Sequence, residues 1–455
     1  MFADRIRQNI GWKTIGIVIE KSLRFLMVAL ITRSLGPKMY GQYTYAVALA
    51  LLCVQITDMG LGLFLAREVS RHEVPPAKLI GHVFTLRAVL ALGYILLMGV
   101  LTWWHFVDPQ LRASVTFHPR PGHLGWTVAL AGLAGLATST IEGIWQVFRG
   151  IQRMDLEARS GTFFAFSQLG CVMLGLWGLQ TMPVIAGDKG AVMVLIAGAM
   201  LVSGLMGLLY TVFLLLRVVT PQFGWSREMV RRFAREVLPL GVAIVASLIY
   251  FKIDVPMLRM LRGDTEVGLY NAAYKFLENM SVIPAILLAA TFPALSHTVE
   301  FDPQAAQRLH KNTLRVLLVA ALIGSVAFLT LPALMIGILN GPEYAGAVPV
   351  LRALAPSVFL TFINYLETHM LVALGLVKAQ MAFAMALILV NVLANFALIP
   401  QYGGVGAALA TALTEVVLLG FCAPMVHREL RKRIAEHALL PQNQQLSDSD
   451  QPVPQ

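Results

Sequence analysis

A series of twelve apolar segments, each about 20 residues or longer, restricts the fold of this chain more than any other feature. Segments of this length cross the roughly 30 Å hydrocarbon core of a bilayer as α-helices. Charged residues make up only 13% of the chain and hydrophobic residues 57%, which is far from a soluble domain. The sequence therefore predicts an all-α polytopic membrane protein. The predicted spans are 14–35, 43–66, 84–106, 124–147, 161–181, 191–216, 237–260, 274–296, 313–339, 348–372, 378–399 and 404–426.

Lysine and arginine are distributed unevenly between the two sides of these spans. Loops on the side of the N-terminus hold roughly three times as many as the opposite loops, which predicts that both termini are cytoplasmic. This topology accounts for the net charge of +10, so we expect no nucleic-acid partner. We also expect no cleaved signal peptide. The predicted parts are an N-terminal six-helix bundle (1–216), a basic cytoplasmic linker (217–236), a C-terminal six-helix bundle (237–437) and a disordered tail (438–455).

The first span is unusual because it carries Glu20, Lys21 and Arg24 and ends in a glycine turn. The pattern Gly-x4-Gly-x-Tyr of this turn, at 36–43, returns 227 residues later at 263–270. Both copies follow a charged span, which favours duplication of the two halves over chance. Repeated halves around a central site are typical of transporters.

Four cations within spans are candidates for the path of an anionic substrate. Such residues are costly in a membrane and usually face a bundle interior or a water-filled cavity, where they can bind phosphate or carboxylate. Alternatively, each cation pairs with a nearby acid or reaches an interface, and Glu20 lies four residues before Arg24. The candidate substrate-binding residues are Lys21, Arg24, Lys252 and Arg352.

Acidic side chains within spans are candidates for binding a coupling proton or Na⁺. We single out Glu278, Glu367 and Asp254, for which a structural salt bridge is the alternative interpretation. The three cysteines lie in apolar runs without metal or disulfide spacing. No nucleophile elbow, phosphate-binding glycine loop or metal-ligand pair occurs, so we expect no enzyme activity, catalytic residue, metal or cofactor.

Three stretches resemble the polysaccharide-transporter branch of the multidrug/oligosaccharidyl-lipid/polysaccharide exporter superfamily, the Wzx-type flippases. They are Ile31–Tyr43 with the following Asp58–Gly62 and Ala66–Glu68, then Asp254–Lys275, and then Asn391–Glu415. They occur in family order across the chain. Pro256 departs from the apolar residue expected after Asp254, which puts the local helix geometry in question.

The resemblance implies two six-helix bundles arranged as a V around a central cationic cavity. It implies alternating access that carries an undecaprenyl-pyrophosphate-linked oligosaccharide from the inner to the outer leaflet for O-antigen, capsule or exopolysaccharide synthesis. It further implies a bacterial inner-membrane location, coupling to protons or Na⁺, contact with membrane lipids and a polysaccharide polymerase as a further partner. The alternatives are a cation-coupled multidrug or small-molecule exporter, a membrane-embedded glycan polymerase or acyltransferase, and a lipid II flippase, whose branch has fourteen spans.

Overall fold

The computed structural model describes residues 2–71, 76–107, 122–179, 187–238, 241, 245 and 252–439. In these ranges every regular element is helical, which confirms the predicted all-α class. Nine of the described helices are long and apolar enough to cross a membrane, and a bent pair at 347–373 makes a tenth span if it is counted as one.

The helices form two compact units, one made of residues 3–268 with 339–343 and the other of residues 269–338 with 344 onward. The predicted four-part division of the chain stays a prediction. The first helices are α1 (Phe2–Val54), α2 (Leu61–Arg71), α3 (Pro76–Val107), α4 (His123–Gly150), α5 (Met154–Gly178), α6 (Lys189–Leu216), α7 (Arg227–Arg232) and α8 (Asp254–Arg262). The later helices are α9 (Asp264–Met280), α10 (Val282–Phe301), α11 (Pro303–Thr330), α12 (Pro332–Leu339), α13 (Ala347–Ala353), α14 (Ala355–Ala373), α15 (Val377–Tyr402) and α16 (Gly404–Ala438).

The first two predicted spans have different boundaries in the structure. Helix α1 passes through the glycine turn with a single non-helical residue, Gly36, and continues to Val54. The second span was predicted at 43–66, but the helix breaks at 55–60, where Gly60 has a φ of +85°. Asp58 closes this break because its carboxylate accepts a hydrogen bond from the Gly62 amide at 3.1 Å. The Asp58 side chain thus takes the place of a backbone carbonyl as the hydrogen-bond acceptor of the Gly62 amide.

Prolines explain two further boundaries. The ninth span was predicted to continue to residue 339, but α11 ends at Thr330 and α12 starts at Pro332. Proline has no amide hydrogen and disfavours a helical residue before it, so a continuous helix ends there. The tenth span bends by 40° between Ala353 and Ala355. Pro356 occupies the first turn of the second segment, where its missing amide costs nothing. In the predicted seventh span, 237–260, residues 239–240, 242–244 and 246–251 lie outside the described residues.

Each unit has its own apolar core. In the first unit, helices α2 to α6 enclose a cluster that contains Leu65, Ile80 and Phe148, all fully buried. In the second unit, α14 packs against α11 and α16 and buries Phe362 and Met370 completely. The many exposed leucines and valines on the outer faces of the helices are what a surrounding bilayer requires.

The two copies of the repeated glycine motif have matching backbone conformations. Gly36 has φ/ψ of 70°/171° and Gly263 has 87°/179°, a region open to glycine alone. In each motif, this one non-helical glycine lies between two helical segments and changes the direction of the chain.

Within the first unit, these two motifs also pack against each other in a reciprocal way. A Cβ added to Gly41 would lie 1.8 Å from the Asp264 carbonyl oxygen, and one added to Gly268 would lie 1.9 Å from the Pro37 carbonyl oxygen. Pro37 and Asp264 are separated by the same 227 residues as Gly41 and Gly268. Equivalent residues of the two motifs thus make equivalent contacts, which supports duplication of the sequence. We call residues 36–43 and 263–270 together the glycine crossing.

Candidate functional site

Arg24 is held by the acid that precedes it by one helical turn. Its Nη2 lies 3.0 Å from Glu20 Oε1, as the alternative interpretation of the sequence anticipated. The pair is incomplete, because the Arg24 Nε is buried without a hydrogen-bond partner and 38% of the side chain is exposed. The guanidinium also lies 5.9 Å from the centre of the Phe164 ring. Arg24 therefore keeps donors for a further anion.

The other predicted cations are in varied surroundings. Lys21 is exposed and forms no ion pair with any described residue. Lys252 is half-buried and is the first residue of the continuous described range 252–439. Arg352, at the end of α13, is exposed and belongs to the second unit. Lys21, Arg24 and Lys252 all belong to the first unit.

The three predicted coupling acids are also divided between the units. Asp254, in the first unit, is buried and accepts a hydrogen bond from the Val255 amide at 2.9 Å. Glu278, in the second unit, is half-exposed and lies 2.5 Å from Lys275 Nζ, one turn earlier on α9. This contact is the salt bridge that the alternative interpretation names.

Glu367 has a partner that the sequence analysis missed. Its Oε1 lies 3.0 Å from His310 Nε2 on α11, and the Glu367 side chain is only 5% exposed. His369, which is only two residues from Glu367 in the sequence, lies at hydrogen-bond distance from the Tyr365 carbonyl oxygen instead. The two partners are 57 residues apart, so no helical spacing could indicate the pair.

A second buried acid lies in the same unit. Glu415 on α16 accepts a hydrogen bond from Asn364 Nδ2 at 2.6 Å, and the same nitrogen lies 2.8 Å from the Glu415 carbonyl oxygen. Asn395 donates to Asn391 at 2.9 Å, and Asn391 lies 3.4 Å from Thr414. This network agrees with the general expectation that amides within spans join neighbouring helices.

Arg87 is a further charged residue whose position the sequence did not reveal. It lies near the start of the predicted third span, and in the structure it is buried within α3. Its Nη1 lies 3.2 Å from Asp58 Oδ1, and its Nη2 donates to the Ser139 carbonyl at 2.8 Å and to Ser139 Oγ at 3.1 Å. Arg87 thus joins three segments of the first unit.

A cavity of about 320 Å³ lies inside the first unit between α1, α4, α5 and α6. Its wall contains alanines and a glycine, whose small side chains leave the space open. None of the predicted cations lines it, and Glu142 is the one charged side chain among the described residues of the wall. The polar residues of the wall are Tyr43, Gln55, Thr138, Ser139, Glu142 and Gln168. In the described part of the chain, no three His, Cys, Asp or Glu side chains converge as a metal site.

The fold is that of known exporters. A multidrug transporter of the MATE family in its inward-facing conformation superposes with a TM-score of 0.65 at 14% identity, covering 92% of this chain and 98% of that one. The lipid II flippase MurJ in an inward closed conformation superposes with a TM-score of 0.69 at 12% identity, covering 93% and 90%. The chain therefore has the fold of these membrane proteins, with several helices long and apolar enough to cross a bilayer.

The sequence identifies the family. Residues 6–299 match the family described as polysaccharide biosynthesis protein, and the chain belongs to this family. The succinoglycan biosynthesis transport protein ExoT of Rhizobium meliloti is 26% identical over 379 residues, which are 80% of this chain and 69% of ExoT. A protein of Escherichia coli named as an O-antigen transporter is 21% identical over 420 residues, 91% and 94% of the two chains. The predicted resemblance is confirmed, and the protein is a transporter rather than an enzyme.

Proposed function

We propose that the protein is a flippase for an undecaprenyl-pyrophosphate-linked oligosaccharide repeat unit. It moves this lipid from the inner to the outer leaflet of the bacterial cytoplasmic membrane by alternating access, with both termini in the cytoplasm. The product feeds the synthesis of an O-antigen, capsule or exopolysaccharide, and a polysaccharide polymerase is the expected consumer. The family match and the names of the relatives support this proposal, since they are transporters of surface-polysaccharide synthesis.

The observation that carries the proposal is the pair of cations within α1. Lys21 and Arg24 lie 15 and 12 residues before Gly36, about 22 Å and 18 Å along the helix axis. In the first span predicted from the sequence, 14–35, both cations lie within the hydrocarbon layer, where such residues usually face a polar path rather than lipid. A pyrophosphate needs cationic donors along such a path, and the Arg24 side chain, which is 38% exposed, can supply one.

The remaining predicted residues complete the proposal. Lys252 and Arg352 contribute further positive charge to the path of the pyrophosphate. Asp254, Glu278 and Glu367 are the proposed sites for a coupling proton or Na⁺, and membrane lipids surround the undecaprenyl chain. The buried contact of Glu367 with His310 supports Glu367 most, because a proton bound there changes the charge of an enclosed pair.

Transport of the lipid-linked oligosaccharide by purified protein in vesicles tests the proposal. We expect Arg24→Gln to reduce the rate at least tenfold, because a charge-assisted bond to the pyrophosphate is lost. Glu20→Gln is the matched variant, since it removes the competing carboxylate and keeps the guanidinium. It should retain transport and bind undecaprenyl pyrophosphate at least as tightly as the wild type.

Equal loss of transport in both variants would show that the Glu20–Arg24 pair is structural, and would overturn the role of Arg24. Deletion of the gene provides the second test. Accumulation of the lipid-linked repeat unit on the inner leaflet supports a flippase. Intact surface polysaccharide together with sensitivity to drugs would instead identify a multidrug exporter, which has the same fold.

A further inference from the structure

The cavity of the first unit offers a ligand hydrogen-bond acceptors without any cation. Glu142 projects into it from α4, is solvent-exposed there and forms no ion pair or hydrogen bond with a described residue. Across the cavity, the Gln168 Oε1 on α5 is buried and has no hydrogen-bond partner. A buried acceptor without a donor costs about 1–3 kcal/mol, so the arrangement favours a ligand that donates hydrogen bonds.

Arg24 and Arg87 are the two cations that interact electrostatically with Glu142, and each is also paired with another acid. Arg87 lies behind the wall residue Ser139, and its guanidinium is held by that residue and by Asp58. Arg24 is paired with Glu20 and does not line the cavity. A pyrophosphate placed in the cavity would meet the Glu142 carboxylate at the wall, whereas Arg24 and Arg87 lie outside the wall. The described residues of the wall carry only negative charge, which disfavours a pyrophosphate there.

The volume and the polar groups of the cavity are suited to a single sugar ring. The volume of about 320 Å³ is at the small end of ligand pockets. Thr138 lines the cavity, and its hydroxyl hydrogen is already donated to the Ala134 carbonyl at 2.9 Å, so its oxygen remains an acceptor. Tyr43 supplies an aromatic wall beside these acceptors.

We propose that this cavity binds the uncharged, hydroxyl-rich sugar portion of the transported lipid, while the pyrophosphate is bound elsewhere. This inference rests on the proposed function and deepens it. Sugar hydroxyls donate to the Glu142 carboxylate, and a turn of the Gln168 side chain presents its unsatisfied Oε1 as a second acceptor. A site built to accept hydroxyl hydrogens discriminates strongly against a ligand that lacks them, so the cavity selects glycosylated over bare lipid.

The test compares binding of two lipids to the full-length protein in nanodiscs. One probe is undecaprenyl pyrophosphate, and the other is the undecaprenyl-pyrophosphate-linked oligosaccharide extracted from cells that make this protein. We expect the wild type to prefer the glycosylated lipid. Glu142→Gln, which keeps the size of the side chain, should weaken binding of the glycosylated lipid about tenfold and leave binding of bare undecaprenyl pyrophosphate unchanged.

Two threonines of α4 supply a matched control. Thr138 and Thr140 make the same backward hydrogen bond, at 2.9 Å, but only Thr138 lines the cavity. Thr138→Val should therefore reduce the preference for the glycosylated lipid, and Thr140→Val should not. Because valine replaces threonine at both sites with the same shape, this comparison stays informative if Glu142→Gln folds poorly.

An equal effect of Glu142→Gln on both lipids, or no effect on either, would overturn the assignment of the cavity to the sugar. That result would leave the flippase proposal intact, because the glycosylated lipid would still bind. If the wild-type protein binds neither lipid, the proposed function itself fails, and the inference fails with it.

Discussion

The glycine crossing allows a sharp test of the fold and of the duplicated halves. Substituting Gly268 by alanine places a methyl group 1.9 Å from the Pro37 carbonyl oxygen, and Gly41→Ala places one 1.8 Å from the Asp264 carbonyl oxygen. Cβ atoms in real structures essentially never approach another atom closer than 3.0 Å. The two backbones must therefore separate by about 1 Å in either variant.

The expected cost follows from this separation. Overpacking a tight contact costs about 1–3 kcal/mol, and the upper end applies here because the obstacle is backbone that cannot change rotamer. The same movement lengthens the 2.7 Å hydrogen bond between Gln42 Nε2 and Asp264 Oδ2 beyond bonding distance. Alanine returns up to about 1 kcal/mol of helix propensity. We therefore expect each variant to lower the free energy of unfolding by about 3 kcal/mol.

The assay is reversible unfolding in mixed micelles of dodecyl sulfate, with two glycine controls. Gly170→Ala lies in α5 with no atom within 4 Å, so it should be neutral or stabilising. Gly263→Ala meets no atom either, but its φ of +87° costs alanine about 1–3 kcal/mol. The double variant Gly41→Ala/Gly268→Ala should cost less than the sum of the two, because the first substitution already separates the chains.

Equal stability of Gly41→Ala, Gly268→Ala and Gly170→Ala would refute the close contact. Additive costs in the double variant would refute the reciprocity, since the two contacts would then be independent. Either result would remove the support that the close contact gives to the 227-residue repeat, and only the matching backbone angles of Gly36 and Gly263 would remain.

Three further outcomes follow from side-chain contacts. Arg87→Met should lower the free energy of unfolding by about 3 kcal/mol in the same assay. This is the low end for breaking a buried ion pair, because Asp58 is 27% exposed. Adding Asp58→Asn should restore part of the lost stability. A double-mutant cycle of His310→Ala and Glu367→Ala should give a coupling free energy of about 1–3 kcal/mol, whereas unconnected residues would give a value near zero. Cys422, fully buried on α16, should resist a membrane-permeant maleimide until the protein unfolds, and its rapid labelling in folded protein would contradict this burial.

The features that the sequence predicted well are those set by local physics. Span length and apolarity depend on one segment at a time, and the helical class follows from them. The repeat was visible because glycine is required both at the φ-positive residues and at the close approach, so its spacing is preserved in both halves. The Glu20–Arg24 pair was also foreseeable, since four residues bring two side chains to the same helix face.

The features that the sequence missed are contacts between distant helices. Arg87 near the start of an apolar run resembles a cytoplasmic loop residue until Asp58 and Ser139 are brought beside it. His310 and Glu367 meet only because α11 packs against α14. The cavity depends on small residues of four segments, and no single segment shows it. Contacts between residues of different helices produce no repeating pattern in a single sequence, so they could not be predicted from it.

In the first unit, charged side chains that form ion pairs can be distinguished from those that do not. Arg87 is paired with Asp58, whereas Lys21 and Glu142 form no ion pair or hydrogen bond with a described residue. Unpaired charges in a membrane helix are unfavourable, and a substrate with an anionic pyrophosphate and hydroxyl-bearing sugars can compensate both. The double variant Lys21→Gln/Glu142→Gln should therefore be at least as stable as the wild type in mixed micelles and should lose transport. A marked loss of stability would show instead that these charges have structural partners, and the assignment of both residues to the substrate path would be wrong.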